Sequence, residues 1–375
     1  MYEQDLKLLI DGKQTFPEVL KCINNANKSI HINMFIWRDD KIGREIADAL
    51  LDAANRGVEI SISIDKYGAV LEKSEEAKRS LFHKRLSHAE WCKIRALELL
   101  YPTPNSPFAK RDDCDDLYRA LISHPGIKVS EDVFKADHSK YYVFDDEILI
   151  MGGINIEDKE NGSDMHGRVY QDYMIKLSGK KYVDALREKL RLGVDTLENL
   201  RFGVNTKSPY PVRFEMREKY LKFINDATSS LIIVMAYFSP CKDFIKAIAN
   251  ACARGVDVTL LMPASANFQD DSNKRTMEKL LNATGGKINV YTSPKMLHTK
   301  AMISDTALTL GSTNITKKAF KQLSELNIFI DDHESELRLE LIKSIEENIA
   351  ISRKITDASQ IKYNKFNALC EGILM

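Results

Sequence analysis

The stretch His138-Ser139-Lys140, followed by Asp145 and then by Gly152-Gly153-Ile154-Asn155, has a second copy in this chain. The second copy runs His298-Thr299-Lys300, then Asp305, then Gly311-Ser312-Thr313-Asn314. Both place Lys two positions and Asp seven positions after His, with Gly and Asn farther on. At average residue usage such a match arises on the order of once in 10^5 per His, so two copies are not a coincidence.

Each copy predicts a hairpin that carries polar side chains on one face. The predicted strands are 140–144 and 147–151 in the first copy, and 301–304 and 307–310 in the second. Residues two apart on a strand point to the same side, so His138 lies beside Lys140. The glycines that follow allow a tight turn, after which Asn155 can point back toward this pair. His, Lys and Asn on one face predict an oxyanion site, for which phosphate is the best candidate.

The repeat is wider than the motif. Residues 20–26 are similar to 221–227, 30–37 to 231–238, and 54–60 to 251–258. In the first half the patterns predict helices over 17–28 and 42–56 and strands over 30–37 and 58–64. Alternating strands and helices predict an α/β fold. We therefore expect two similar α/β/α halves with mixed, mostly parallel sheets, which meet at one active site.

The two halves differ in length. The first is assigned to 1–192, a connection to 193–215, and the second half, with C-terminal helices, to 216–375. The first half carries an insertion at about 66–122, with a helix predicted over 73–100. Its basic residues fit a solvated helix on the rim, or alternatively a substrate lid or a membrane-contacting helix.

Composition restricts the partners and the compartment. Lys plus Arg and Asp plus Glu both number 54, so no overall charge attracts nucleic acid, although a local basic groove is not excluded. The six cysteines form no C-x-x-C pair, which argues against structural zinc and fits a reducing cytoplasm. The N-terminus does not read as a signal peptide, and the longest apolar runs, 148–156 and 231–238, are too short to span a bilayer. We expect a cytoplasmic protein that meets a lipid substrate from the membrane surface.

The doubled motif resembles that of the phospholipase D superfamily, and the likeness covers roughly residues 15–350. Four flanking stretches are similar to the cardiolipin synthase branch: 26–31, 35–40, 54–58 and Tyr170-Gln171-Asp172. The resemblance implies phosphodiester chemistry in two steps without a metal or other cofactor. One His attacks phosphorus, and the other protonates the leaving oxygen and then deprotonates the incoming water or alcohol.

The resemblance also implies roles for individual residues. His138 is taken as the nucleophile and His298 as the general acid and base, an order that follows a family tendency. Phosphate binding is assigned to the motif lysines and asparagines, Lys140, Lys300, Asn155 and Asn314. Each His needs a carboxylate that fixes its tautomer. The candidates are Asp172, 34 residues after His138, and Glu325, 27 residues after His298.

The remaining motif residues are expected to be structural. These are the turn acids Asp145 and Asp305 with Gly152, Gly153, Gly311 and Ser312. The second copy is one residue shorter before its glycine, so either Asn314 is displaced or the hairpin is tighter. The first copy has Gly153 where the commonest family pattern has Ser.

Residues outside the motifs are weaker candidates. Asp65, at a strand end, could reach the site, and Trp37 could line a pocket, although core packing is favoured. His166 and Arg168 are possible substrate contacts. The other histidines, His31, His83, His88, His124 and His333, are expected to have packing or surface roles.

The leading functional hypothesis is phosphatidyl transfer of the cardiolipin synthase type at a membrane surface. Phosphatidylglycerol is the expected donor, and a second phosphatidylglycerol or another alcohol the acceptor. One alternative is phospholipase D hydrolysis, which uses the same residues with water as acceptor. Another is a nuclease or phosphodiesterase of the same superfamily, although nucleic acid is the less favoured partner. A non-catalytic lipid-binding protein is the third, disfavoured because both motifs are complete.

Overall fold

The computed structural model describes residues 5–68, 70–71, 80–82, 87–89, 92, 94–95, 116–130, 135–164 and 166–374. Most of the predicted insertion, including most of the helix proposed for 73–100, lies outside these residues. Among the described helices, none combines the length and the apolar character that crossing a bilayer requires.

The first half alternates strands and helices before its motif hairpin. Its elements are β1 (Leu6–Ile10), α1 (Asp11–Asn25), β2 (Ser29–Met34), α2 (Lys41–Asn55), β3 (Glu59–Ile64), α3 (Asp116–Ser123), β4 (Ile127–Ser130), β5 (Tyr141–Phe144), β6 (Ile148–Gly152), β7 (Tyr170–Gln171), β8 (Tyr173–Ser178) and α4 (Lys180–Leu192). The carboxylate of Asp40 caps α2 by accepting from Gly43 N. Helix α1 begins at Asp11, six residues before the predicted start, with Pro17 inside it.

The second half repeats this order. Its elements are β9 (Leu200–Thr206), β10 (Arg213–Phe214), α5 (Met216–Asp226), β11 (Ser230–Met235), β12 (Phe238–Ser239), α6 (Lys242–Ala253), β13 (Asp257–Pro263), α7 (Asp270–Thr284), β14 (Asn289–Ser293), β15 (Met296–Leu297), β16 (Lys300–Ser304), β17 (Ala307–Gly311), β18 (Ile315–Thr316), α8 (Lys317–Lys321), β19 (Glu325–Asp331), α9 (Glu336–Ala350), β20 (Arg353–Ile355) and α10 (Lys365–Leu374). Strand β9 lies within the segment assigned from sequence to the connection, and it pairs with β19.

Each half forms one large mixed sheet. The strand orders are β1-β8-β6-β5-β2-β3-β4 and β10-β9-β19-β17-β16-β11-β13-β14-β20. The prediction of mostly parallel sheets is wrong. Parallel pairing within them is confined, among the described strands, to β2-β3-β4 and β11-β13-β14. The two strands of each motif hairpin pair antiparallel, because consecutive strands joined by a short turn must reverse direction. Their neighbours β8 and β19 also pair antiparallel with the hairpins.

The two sheets share an apolar core. Buried residues of both sheets, such as Leu149 and Ile175 from the first and Leu308 and Ile328 from the second, belong to one cluster with α4 and α9. Two outer clusters lie on the opposite faces, one against α1 and α2 and one against α5, α6 and α7. The shared core fixes the halves against each other, so the ends of the motif strands meet.

Candidate active site

Both motif histidines line one cavity of about 80 Å³ between the halves. Asn155, Asn314, Lys159 and Lys318 also line it. The ring of Phe35 packs edge-on against His138, with centroids 4.7 Å apart. The two histidine side chains are only 10% and 8% exposed, so the reactive groups are largely shielded from bulk solvent.

The backbone of each histidine is anchored to the opposite half. His298 N donates to Gln171 O at 2.8 Å, next to the parallel pairing of β7 with β15. His138 N donates to Ser324 O, also at 2.8 Å. Gln171 and Ser324 immediately precede the two predicted carboxylates. This places the acid of each half beside the histidine of the other half.

The side-chain contacts also cross between the halves. Nδ1 of His298 lies 2.9 Å from Oδ2 of Asp172. Nδ1 of His138 lies 3.2 Å from Oε2 of Glu325 and 3.1 Å from Ser312 O. Since Nδ1 of each ring is engaged, Nε2 is the nitrogen that can react with a ligand in the cavity.

The motif position next to each carboxylate, 153 beside Asp172 and 312 beside Glu325, holds a different residue in the two copies. A Cβ on Gly153 would lie 2.2 Å from Oδ2 of Asp172, so a larger residue there would force that carboxylate to move. In the second copy Ser312 takes this position, and its hydroxyl donates to Oε2 of Glu325 at 2.5 Å. The departure of Gly153 from the common family pattern therefore has a local steric reason.

The shorter second hairpin does not displace Asn314. Ala301 pairs with Leu310 as Tyr141 pairs with Met151, three residues after each histidine and four before each asparagine. The second hairpin is shorter by one residue in the turn that connects its two strands, at the end far from His298. Residues 305–306 separate the second pair of strands, and residues 145–147 the first. The tighter hairpin is the alternative that the structure supports.

The motif lysines are buried beneath the histidines. Nζ of Lys140 donates to His138 O at 2.6 Å, and Nζ of Lys300 donates to His298 O. Burial, and then the charge of Lys300, lowers the pKa of Lys140 to about 7. Burial likewise lowers the pKa of Lys300. The charge of Lys300 acts on Lys140, so the two ammonium groups are near enough to attract the same anion.

The asparagines are held by different partners. Oδ1 of Asn314 accepts from Tyr237 N at 3.2 Å, which leaves its amide NH₂ as the donor for a ligand. Nδ2 of Asn155 donates to Oε1 of Glu157 at 3.3 Å. An NH₂ group has two hydrogens, so Asn155 can also donate a second hydrogen bond.

Burial sets the protonation of the reacting groups. Burial, followed by the charges of Lys140 and Lys300, holds the pKa of His138 well below its ordinary value. Burial and the same two lysines act likewise on the pKa of His298. Burial raises the pKa of Asp172 to about 7 and that of Glu325 to about 8. The negative charge of a bound phosphodiester opposes the two lysines, and so raises the pKa of both histidines.

A buried charge cluster beside His298 was missed in the sequence analysis. Nε of Arg38 lies 2.5 Å from Oε2 of Glu157, and Nζ of Lys159 lies 3.3 Å from the same oxygen. Glu160 is 2% exposed, and its Oε1 lies 3.8 Å from Nδ1 of His298. Neither oxygen of Glu160 has a hydrogen-bond partner among the described residues. The available signal was the run of charges that follows Asn155 so closely.

The turn acids lie at the far ends of the hairpins. The carboxylate of Asp145 accepts from the backbone N–H groups of Asn27, Lys28 and Ser29. Asp305 accepts from Thr228 and Ser229. Both acids therefore tie a hairpin turn to the start of the neighbouring strand, which is a structural role.

The weaker candidates lie outside the cavity. Asp65 accepts from the backbone N–H groups of Lys135 and Asp137 and so positions the approach to His138. Trp37 is fully buried and packs on Phe82. His166 is exposed, and Arg168 pairs with Asp164 at 2.6 Å. His31, His124 and His333 line no part of the cavity, His88 is an exposed surface residue, and His83 lies outside the described residues.

The chain is similar to known proteins over nearly its whole length. The family model described as cardiolipin synthase, PLD-like domain, matches residues 19–192 and 220–349. A cardiolipin synthase of Clostridium perfringens (strain SM101) is 25% identical over 99% of this chain and 75% of its own length. The major cardiolipin synthase ClsA of Bacillus subtilis (strain 168) is 23% identical over 94% of this chain and 70% of its own length.

Solved structures agree on the fold. The phosphatidylserine synthase of Haemophilus influenzae Rd KW20 aligns with a TM-score of 0.69, covering 98% of this chain and 92% of that one at 14% identity. A polyphosphate kinase of Porphyromonas gingivalis aligns with a TM-score of 0.58 at 13% identity, covering 97% of this chain and 51% of that one. At these identities the matches establish a shared architecture.

Proposed function

Because this chain belongs to the phospholipase D superfamily, in the family of cardiolipin synthase PLD-like domains, we propose that it is a phosphatidyltransferase of the cardiolipin synthase type. Phosphatidylglycerol is the proposed donor, and the hydroxyl of a second phosphatidylglycerol the acceptor. The observation that carries the proposal is the exchange of partners between Asp172 and Glu325. It gives one cavity two histidines, each with its own carboxylate.

In the first step, Nε2 of His138 attacks phosphorus, and the bond from phosphorus to the glycerol oxygen breaks. His298 donates its proton to that oxygen, so free glycerol leaves and the phosphatidyl group stays on His138. This assignment is supported by the contact of His138 Nδ1 with Ser312 O, which holds the proton on Nδ1 and leaves Nε2 unprotonated.

In the second step, the acceptor hydroxyl gives its proton to His298 and attacks phosphorus. The bond from phosphorus to His138 breaks, and cardiolipin forms. Lys140, Lys300, Asn155 and Asn314 are proposed to stabilise the charge on the non-bridging oxygens in both steps. The small cavity supports a reaction in which only the phosphate region enters, while the acyl chains stay in the bilayer.

A product assay tests the proposal. Purified protein is incubated with phosphatidylglycerol vesicles and, separately, with single-stranded DNA. His138→Ala and His298→Ala are the active-site variants, and His333→Ala, an exposed histidine outside the cavity, is the matched control. We expect cardiolipin and free glycerol, lost in both active-site variants and retained in the control. Phosphatidic acid as the sole product would make water the acceptor, and DNA cleavage with intact lipid would replace the proposal by a nuclease.

A further inference from the structure

Helix α10 exposes two large apolar side chains on one face. Phe366 is 71% exposed and Leu369 50% exposed, and residues three apart lie on the same side of a helix. The opposite side is fixed to the protein. Ala368 is buried there, and Glu371 accepts from Ser272 N at 2.7 Å, at the beginning of α7. The apolar face is therefore presented to solvent by a helix that is anchored on its other side.

A basic groove of about 260 Å³ lies beside this face. Leu369 and Ala368 line it together with four cations, Lys242, Arg275, Lys279 and Lys317. The pKa of Lys279 is lowered first by burial and then by the charge of Arg275; the charge of Glu278 opposes this, and Lys242 adds a smaller lowering.

The acids near the groove have other partners. Glu278 accepts from the Tyr363 hydroxyl at 2.5 Å, and Asp243 pairs with Arg217. Glu371 is engaged at the beginning of α7, as described above. The described residues that line the groove include these four cations and no acid, so its lining carries an excess of positive charge.

The groove and the active-site cavity share a wall. Strands β12 and β18 pair as Phe238 with Ile315 and Ser239 with Thr316. Ser239 and Lys317 line the groove, whereas Thr316 and Lys318 line the cavity. The groove and the cavity therefore lie close together, at this strand pair.

We propose that α10 and the basic groove form a docking surface for an anionic phospholipid bilayer. Phe366 and Leu369 enter the boundary between headgroups and acyl chains, and the four cations bind headgroup phosphates. A second copy of the chain is disfavoured as occupant, because two such basic grooves repel each other. A free phosphate would leave the apolar pair in water. The choice of lipid rests on the proposed function, but the docking itself does not.

The role of Phe366 and Leu369 in docking is tested by vesicle sedimentation of the full chain. Vesicles of phosphatidylglycerol and phosphatidylcholine in equal parts are compared with pure phosphatidylcholine. We expect the double variant F366A/L369A to bind the anionic vesicles about tenfold more weakly. The matched control is L339A, a leucine 59% exposed on α9 beside the acidic Glu336 and Glu340. Equal binding by F366A/L369A and L339A would overturn the proposal.

The role of the groove cations is tested with two double variants that lose the same number of positive charges. K242Q/K279Q removes two groove cations, and K180Q/K222Q removes two exposed lysines that lie elsewhere. At about fivefold for each cation, K242Q/K279Q should weaken binding roughly 25-fold at physiological salt. The control should bind nearly as well as the unaltered protein. Equal losses in both variants would mean that only overall charge matters, and would overturn a specific groove.

Turnover measured in parallel separates this inference from the proposed function. With lipid dispersed in detergent micelles, the docking variants should keep the activity of the unaltered protein, and with vesicles they should lose it. Vesicle binding lost in the variants, with no lipid turnover by any form, would support docking and overturn the proposed function. Normal vesicle binding by the docking variants, together with normal lipid turnover, would overturn the docking surface and support the proposed function. A dimer that F366A/L369A abolishes, without a change in vesicle binding, would assign the surface to a second copy.

Discussion

Asp172 lies 2.9 Å from Nδ1 of His298, although Asp172 belongs to the first half and His298 to the second. Glu325 of the second half makes the reciprocal contact with His138. Neither half can therefore orient its own histidine. A carboxylate variant in one half should impair the reaction step carried out by the histidine of the other.

Asp172→Asn and Glu325→Gln should be distinguishable by the leaving group. Each should slow transfer from phosphatidylglycerol by about 10^2- to 10^4-fold. A phosphodiester of para-nitrophenol needs little proton donation, so the first-turnover burst of nitrophenol should recover in Asp172→Asn and stay slow in Glu325→Gln. Recovery in Glu325→Gln alone would mean that Glu325 supports proton donation through His138, and that the roles of the two histidines are reversed.

Gly153→Ser tests the steric fit between the motif turn and Asp172. The new Cβ would lie 2.2 Å from the carboxylate and push it from His298, so kcat should fall about 100-fold. Gly162→Ala is the control, because a Cβ there meets no atom within 4 Å. Near-normal kcat in Gly153→Ser, with an unchanged Tm, would show that Asp172 need not remain where the structure has it.

The charge on Lys140 predicts how activity depends on pH. With a pKa of about 7, Lys140 is protonated below neutral pH and loses its charge as pH rises. Since kcat/KM reports the free enzyme, it should fall above about pH 7 for a phosphodiester whose own charge is constant. A bound anion raises the pKa of the lysine, so the fall in kcat should come roughly 1–3 pH units higher. Identical profiles for kcat/KM and kcat would contradict this role.

Glu160 should make the fold less stable as pH rises. Burial, then Glu157 and Asp172, raises the pKa of Glu160 well above its ordinary value of 4.5, against the opposing charges of Lys159 and Lys300. The folded state therefore binds more protons than the unfolded state, and the free energy of unfolding falls as pH rises above 4.5.

Glu160→Gln removes this loss. Its Tm should exceed that of the unaltered protein at pH 8 by roughly 4 °C, and by much less near pH 5. The exposed Glu188→Gln is the matched control for replacing one carboxyl group by an amide. A Tm difference for Glu160→Gln that does not vary with pH would indicate an effect of packing.

Much of the fold could be predicted from the repeat. The motif hairpins, the two-half architecture, and the histidines and asparagines that line the cavity follow from positions that recur at fixed spacing. The exchange of Asp172 and Glu325 could not be predicted, because spacing within one half does not show which half each carboxylate faces. The strand directions in the sheets were missed because βαβ patterning describes only β2-β3-β4 and β11-β13-β14.

Other features depend on burial that the sequence does not reveal. Glu160 sits in a run of charges that resembles a solvated turn, yet it is buried against His298. The exposure of Phe366 and Leu369 on α10 could not be predicted, because a helix period alone does not distinguish a buried stripe from an exposed one. The 66–122 insertion, expected to be a solvated helix on the rim or alternatively a substrate lid or membrane-contacting helix, lies mostly outside the described residues, and its role stays a prediction.

The most direct test of the account is to find the residue that carries the phosphatidyl group. Protein mixed briefly with phosphatidylglycerol is quenched in alkaline detergent, in which a phosphohistidine survives, and is digested and mapped by mass spectrometry. We predict a phosphatidyl adduct on the peptide that contains His138, present in His298→Ala with an activated donor and absent in His138→Ala. An adduct on His298 would reverse the two roles, and turnover without any adduct would contradict the two-step mechanism.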